Sequence, residues 1–383
     1  MKWELKSFGE IGFIGRGKSR HRPRNAEHLY GGIYPFVQTG DIKTAGFRIY
    51  DYTQTYNEAG LAQSKLWKEG TLCITIAANI ADTAILGIDA CFPDSVIGFV
   101  PYEDKSDVRF VKYFFDIFQA RMKSISTGAA QDNLSLEKLL TFKIPTPPLP
   151  TQHKIASILS AYDELIENNL KRIKLLEEKA FLRYKQNVRE EKLEKHILSE
   201  FGDIITGKTP STVIADNFGD DVPFIKTPDM HNQIFVEHTD QMLSELGAKS
   251  QEKKFLPPLS LCVSCIGTAG VVGITSKPSQ TNQQINSIVF YEPKNVYFFY
   301  ALMSQMKEQL DALGSNGSTF TNVNKNKFEN MEVFVPNQKV LLEFAQEFEA
   351  PFNLILTLQK QNTKLREARD ILLPKLMNGE IKV

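Results

Sequence analysis

The chain has 383 residues, with 45 Lys+Arg against 45 Asp+Glu, and 42% hydrophobic and 23% charged residues. At roughly 150 residues per domain this leaves room for two or three globular domains with ordinary cores, and it excludes a disordered or fibrous chain. Zero formal net charge removes bulk electrostatics as an argument for nucleic-acid binding, so any such reading must rest on local clusters.

The N-terminus, MKWELKSFGE, carries no apolar core or small-residue cleavage site, and no apolar run approaches 18 residues, so a cytoplasmic location without a membrane is expected. Beyond it, a Gly- and Pro-containing loop holds Arg16, Lys18, Arg20, His21, Arg22 and Arg24, with no acid until Glu27. Short β-branched and aromatic runs follow, YPFVQTG, TLCITIA and SVIGFV, broken by Gly, Pro, Asn and Asp. These predict strands of a mixed α/β or α+β domain over residues 1–150. A helix is predicted over 107–123, and IPTPPLP at 144–150 is a rigid stop. A long helix is then predicted over 151–194, with a seam of Ile155, Leu159, Tyr162, Ile166, Asn169, Ile173, Leu176 and Ala180 spaced by fours and threes. Lys171, Arg172, Lys174, Glu177, Glu178 and Lys179 fill its other faces. About 40 residues at 1.5 Å each span about 60 Å, more than a single domain core needs.

The remainder repeats this order. Phe8-Gly9-Glu10-Ile11 recurs as Phe201-Gly202-Asp203-Ile204, GKS at 17–19 as GKT at 207–209, and YPFVQTGDI at 34–42 as VPFIKTPDM at 222–230. LCITIAANIADTAILGI at 72–88 recurs as LCVSCIGTAGVVGI at 261–274, and STGAAQDN at 126–133 as SNGSTFTN at 315–322. The separations lie between 188 and 193 residues, too long for a solenoid unit, so one domain-sized module is present twice. The second module is placed at 195–338, with a helix over 296–311, and a second long helix at 339–383. Its seam is Phe344, Phe348, Pro351, Ile355, Leu358, Asn362, Leu365 and Arg369, with Pro351 and Arg369 as interruptions. Two such seams pair most simply with each other, antiparallel. The fold expected is therefore a duplicated mixed α/β recognition domain joined by two long antiparallel coiled-coil spacer helices, with a pseudo-two-fold internal repeat.

Two similar heads on a spacer suit a target with two similar features at a set distance, such as duplex DNA, whose groove recurs about every 34–36 Å. Candidate contacts are Arg16, Lys18, Ser19, Arg20, Arg22, Arg24 and Lys43 in the first module, with Asn133 on a separate polar loop. In the second they are Lys208, Thr209, Ser211, Lys226 and Asn322. Guanidinium, ammonium and hydroxyl groups of this kind reach phosphates and base edges. Two other readings stay open, a coiled-coil scaffold that binds no DNA and an enzyme of the following kinds. GFIGRGKS at 12–19 and GDIITGKT at 202–209 fit the P-loop pattern, although neither is followed by an apolar helical stripe. PDSVIGFVPYEDK at 93–105 fits a loose nuclease pattern in which Asp94, Glu103 and Lys105 would hold a metal, although the second copy has Gln283 in place of Asp94. No Asn- or Asp-Pro-Pro-aromatic loop for adenine methylation is present. Cys262 and Cys265 form a lone CxxC whose members face opposite sides of a strand, so buried thiols are expected there rather than a zinc site.

The repeat, the segment PPLPTQHKIASILSAYDELIENNLKRIKLLE and the C-terminal LLPKLMNGEI together resemble the specificity subunit of type I restriction-modification systems, over essentially the whole chain. The resemblance implies a non-catalytic subunit whose two target-recognition domains each read half of an asymmetric bipartite DNA site. It also implies helices that set the spacer and dock two methyltransferase subunits, with Ile155, Leu159, Tyr162, Ile166, Ile173, Leu176, Phe344, Phe348, Ile355, Leu358 and Leu365 along them. S-adenosylmethionine would belong to the methyltransferase partner, and ATP and Mg to restriction/translocase subunits. No cofactor or metal is expected in this chain.

Overall fold

The computed structural model describes residues 3–76, 81–125, 136–314 and 321–383. The chain forms two compact units. One comprises Met1–Glu167 with Lys364–Val383, the other Asn168–Thr363.

Both units are built on a five-stranded sheet of the same order. In the first, Gly12–Arg16, Val96–Pro101, Leu72–Thr75, Thr83–Leu86 and Arg48–Ile49 lie side by side. In the second the order is Gly202–Thr206, Ile285–Phe290, Leu261–Ser264, Val272–Thr275 and Phe235–Val236. In each, every pairing is antiparallel except the last. The central strands are buried on both faces, which explains why TLCITIA and LCVSC read as continuous apolar runs rather than alternating ones.

The register corrects one detail of the repeat. Gly12 pairs with Pro101 and Gly202 with Phe290, so the residues matching Phe201-Gly202-Asp203-Ile204 are Ile11-Gly12-Phe13-Ile14. The FG pairs that look alike in sequence are three residues out of register. The physical requirement is at the true equivalents: a Cβ on Gly12 would meet the Val100 carbonyl oxygen at 2.6 Å, and one on Gly202 the Val289 oxygen at 2.3 Å.

The helix Val108–Ile125 covers the first sheet, and Phe110, Tyr113 and Phe115 pack there with Phe8, Leu72, Ile74, Ile97 and Phe99. In the second unit the corresponding helix is shorter than expected. It runs Val296–Met303, with every residue buried, and a second helix begins only at Lys307. Ser304 caps its end: both its backbone N–H, at 3.1 Å, and its hydroxyl, at 2.7 Å, donate to the Tyr300 carbonyl.

The two long helices are Leu149–Glu190 and Gln338–Met377. The first stops short of residue 194 because Glu194–Ile197 pairs as a strand with Glu332–Val335. Within the second unit the helices run antiparallel: Asn169 Nδ2 donates to Asn362 Oδ1 at 2.9 Å, and Arg183 Nε to Glu347 Oε2 at 3.1 Å. Within the first unit, Ile155, Ala156 and Leu159 share a core with Leu373, Leu376 and Met377. There Arg369 forms an ion pair with buried Asp163, which also accepts the Tyr113 hydroxyl at 2.5 Å. Arg369 therefore completes a buried polar network at its seam position. Pro351 leaves the second helix unbroken, and the apolar stripe passes through fully buried Phe352 instead. Ile155, Leu159, Ile166, Phe344, Phe348, Ile355 and Leu358 are buried, while Tyr162, Ile173, Leu176 and Leu365 are partly so. The buried set holds the helices in their own units and offers no surface for a partner, a correction to its expected docking role.

All four cysteines are buried and unpaired. Burial pushes the Cys262 thiol up to about 12 and that of Cys265 up to about 11, so neither is a thiolate at neutral pH. No helix is long and apolar enough to cross a membrane among the described residues.

Candidate nucleic-acid interface

The loops that follow the first sheet strand of each unit are built alike. Gly17 N–H donates to Val96 O at 2.9 Å and Lys18 N–H to Phe92 O at 3.1 Å; in the second unit Gly207 N–H donates to Ile285 O at 3.1 Å and Lys208 N–H to Thr281 O at 2.9 Å. A Cβ at Gly17 would lie 2.3 Å from the Phe92 and Pro93 carbonyl oxygens, and one at Gly207 lies 2.1 Å from that of Asn282. The recurrent Gly-Lys-Ser/Thr thus reflects a backbone crossing too close for any side chain. It is not a phosphate cradle. Its Gly and Lys amides are already bonded within the fold, and no helix of eight or more residues lies between residues 20 and 76 or between 210 and 292, so the two features a P-loop requires are missing.

In the first unit the loop is tied down along its length. Gln63 Oε1 accepts the amides of Arg20 and His21 at 2.6 and 3.0 Å, and the Ser64 hydroxyl donates to Lys18 O at 2.7 Å. Arg22 donates to the carbonyls of Ser19 and His21 at 2.6 and 2.8 Å. Arg24 grips Asp94 with two bonds from one nitrogen, 2.7 and 2.9 Å, while Arg22 stands 3.7 Å from the same carboxylate. Asp94, the would-be metal ligand, therefore serves as an anchor for two guanidinium groups that stay about half exposed. One acid beneath two cations leaves the surface net positive while fixing where the cations point.

The candidate residues fall into distinct settings. Arg16, Lys18, Arg20, Arg22 and Arg24 are exposed on this loop or the strand end before it. Ser19 is a correction: it is only 4% exposed, its hydroxyl 3.5 Å from that of Tyr56, so it supports the loop from within. Lys43 is exposed on a different element, the helix Thr39–Ala45. Asn133 lies outside the described residues. In the second unit Lys208 and Ser211 are exposed, and the Thr209 hydroxyl donates to Gln283 Oε1 at 2.7 Å. Lys226 Nζ donates to Gln241 Oε1 at 2.6 Å, and Asn322 sits exposed in a strand paired with Ile266–Gly267.

The strand-turn repeat has its own structural cause. Asp41 and Asp229 accept the amides of Gln38 and Lys226, each at 2.8 Å, so the shared aspartate of QTGD and KTPD closes a turn. The residues at 38 and 226 then reach equivalent glutamines, Gln54 and Gln241, at 2.7 and 2.6 Å.

Sequence reasoning passed over Lys65. Its ammonium lies 3.5 Å from the ring centroid of Trp67 and 4.8 Å from that of Phe13, a cation–π arrangement. Burial, and then neighbouring Lys18, push its pKa below the ordinary lysine value. The aromatic residue two positions on was the available signal. It also passed over Val213, which is 93% exposed on the second loop, next to half-exposed Ile214.

Each unit is thus a mixed α/β domain packed on antiparallel helices and carrying a loop with the same backbone bonds, which defines a protein built from one domain twice. The model of the type I restriction modification DNA specificity domain matches residues 1–178 and again 190–364. The chain belongs to that family and carries two copies of its domain. It is 45% identical over 190 residues to the HindI type I restriction enzyme specificity subunit of Haemophilus influenzae, an alignment covering 49% of this chain and 41% of that one. It is 24% identical to the MjaIX specificity subunit of Methanocaldococcus jannaschii, over 100% of this chain and 94% of that one. The crystal structure of a type I S subunit from M. genitalium shares its fold, with a TM-score of 0.60 at 15% identity over 98% and 96% of the two chains.

Proposed function

We propose that the chain is the non-catalytic DNA-recognition subunit of a type I restriction-modification complex and reads an asymmetric bipartite site. The modules at 1–150 and 195–338 are assigned one half-site each, and the helices set the gap. One observation carries this reading. The Gly17-Lys18 and Gly207-Lys208 loops share their backbone hydrogen bonds but present different side chains, RHRPR in one and TPSTVI in the other. Two loops with the same backbone anchor and different exposed side chains suit two half-sites of different sequence.

Docking of two modification subunits on the helices is supported by exposed apolar residues at repeat-equivalent positions: Leu165 with Leu354, and Leu182 with Ile371. Exposed apolar residues at equivalent positions of the two helices fit two copies of one partner, and their exposure replaces the buried seam as the docking candidate. S-adenosylmethionine is assigned to those partners, and ATP and Mg to restriction/translocase subunits. A cytoplasmic setting follows from such partners and from the DNA target.

The test is to purify the chain with its modification subunits and map adenine methylation across a random duplex library. A bipartite site with a constant gap is expected. Unpatterned methylation would sink the proposal, and magnesium-dependent cleavage by the isolated chain would replace it with the nuclease reading.

A further inference from the structure

We infer that the second module recognises thymine, with Val213 and Ile214 forming an apolar contact for thymine 5-methyl groups in the half-site it faces; this rests on the reading just proposed. Val213 is 93% and Ile214 51% exposed. Both sit on the loop that corresponds to the arginine-bearing loop of the first module. A single exposed aliphatic residue is ordinary, but these two are held out by a rigid support. Pro210 is buried, and Gly207 and Lys208 are bonded to Ile285 and Thr281. Asn217 Nδ2 donates to Ser211 O at 2.9 Å, and Ile214 N–H donates to the same oxygen at 3.4 Å. The loop cannot fold its valine inward without breaking those bonds.

The chemistry around the pair selects the partner. Lys208, Ser211 and Thr212 are exposed beside them and offer phosphate donors; of the neighbouring acids, Asp221 accepts the Glu245 amide at 3.0 Å and Asp216 is exposed at the far end of the loop. No arginine lies between Lys208 and Asn217, so the planar guanidinium fork open to the first module is absent from this loop, and Lys208 is its one cation. Of the groups that base edges display in the major groove, the thymine methyl is the apolar one. Val213 is shorter than the Phe, Leu, Ile and Met side chains that wedge between base steps, so it suits the thymine methyl better than a step, and Ile214 beside it is the less exposed of the two.

The experiment uses the full chain with its modification subunits and duplexes carrying the mapped site, with each thymine replaced in turn by deoxyuridine. At one or more positions of one half-site, deoxyuridine should weaken binding about fourfold, the value of one buried methyl group. Val213→Ala should melt with the unsubstituted protein and lose that difference, whereas Arg24→Ala should keep it. A patterned bipartite site that is insensitive to deoxyuridine at every thymine overturns the thymine contact, as does a Val213→Ala protein that retains the difference. Both outcomes leave the half-site reading standing. Unpatterned methylation by the unsubstituted complex would instead overturn that reading itself.

Discussion

On the proposed reading, single side chains divide into those that would contact DNA and those that hold the loops. Lys208 is exposed, and as a phosphate contact its loss should weaken all sequences alike. Lys208→Ala is therefore expected to lower the slope of log K against log salt by about one, with the preferred site unchanged. Arg24, held by Asp94, is on the same proposal the better candidate for a base contact. Arg24→Ala should cost about 1–3 kcal/mol and relax one base position, measured by competition between single-base variants of the mapped site. Asp107 is a holding residue. Burial works to raise its pKa, but hydrogen bonds from Arg109 and His153 and the Arg109 charge outweigh it, so the carboxyl stays below the ordinary aspartate value. A depressed carboxyl contributes stability that is complete above the unfolded value of about 3.9 and is lost as pH falls through the folded one. Asp107→Asn should cost about 1–3 kcal/mol at neutral pH, and in acid unfolding its first unit should lose less stability than the unsubstituted one below about pH 4.

At the scale of elements, the long helices show how much periodicity alone conveys. Spacing of fours and threes placed Ile155, Leu159, Ile166, Phe348 and Ile355 on a buried stripe, because every helical residue meets its i+3 and i+4 neighbours wherever the helix lies. It misplaced the stripe at Pro351 and the helix end at 194. Phe352 takes over the first, and strand pairing with Glu332–Val335 decides the second; both depend on residues distant in sequence. The Asn169–Asn362 bond is a register device of the same kind, a buried polar pair inside an apolar seam. Asn362→Leu alone should destabilise the second unit by about 1–3 kcal/mol by stranding the Asn169 amide. The double Asn169→Leu, Asn362→Leu protein should regain that stability or exceed it, with looser pairing. Urea unfolding of the three proteins checks this, and equal stability of the single and double variants would remove the register role.

For the whole molecule, the proposed spacer makes a metrical prediction. Removing one heptad from each long helix takes out about 10 Å of helix at 1.5 Å per residue, or about three base pairs at 3.4 Å per step. Methylation mapping should show both half-sites retained and the gap shortened by about that much. An unchanged gap would mean that the helices do not set it. The duplication, the mixed α/β modules, the two long helices and the Gly-Lys loops were all legible in the linear sequence, because repeats and short-range periodicity are properties of order along the chain. The reading surface was not. Arg24 meets Asp94 across 70 residues, Lys65 lies over Phe13, Ser19 turns inward to Tyr56, and the chain divides so that each long helix contributes to both units. Which cations remain available, which glycines answer to a close backbone crossing and which valine stands in solvent are settled by contacts between distant segments. The sequence by itself determined the architecture and the family; only the tertiary structure decided which side chains hold the loops and which are left exposed, since burial and pairing exist only once the sheets and helices have come together.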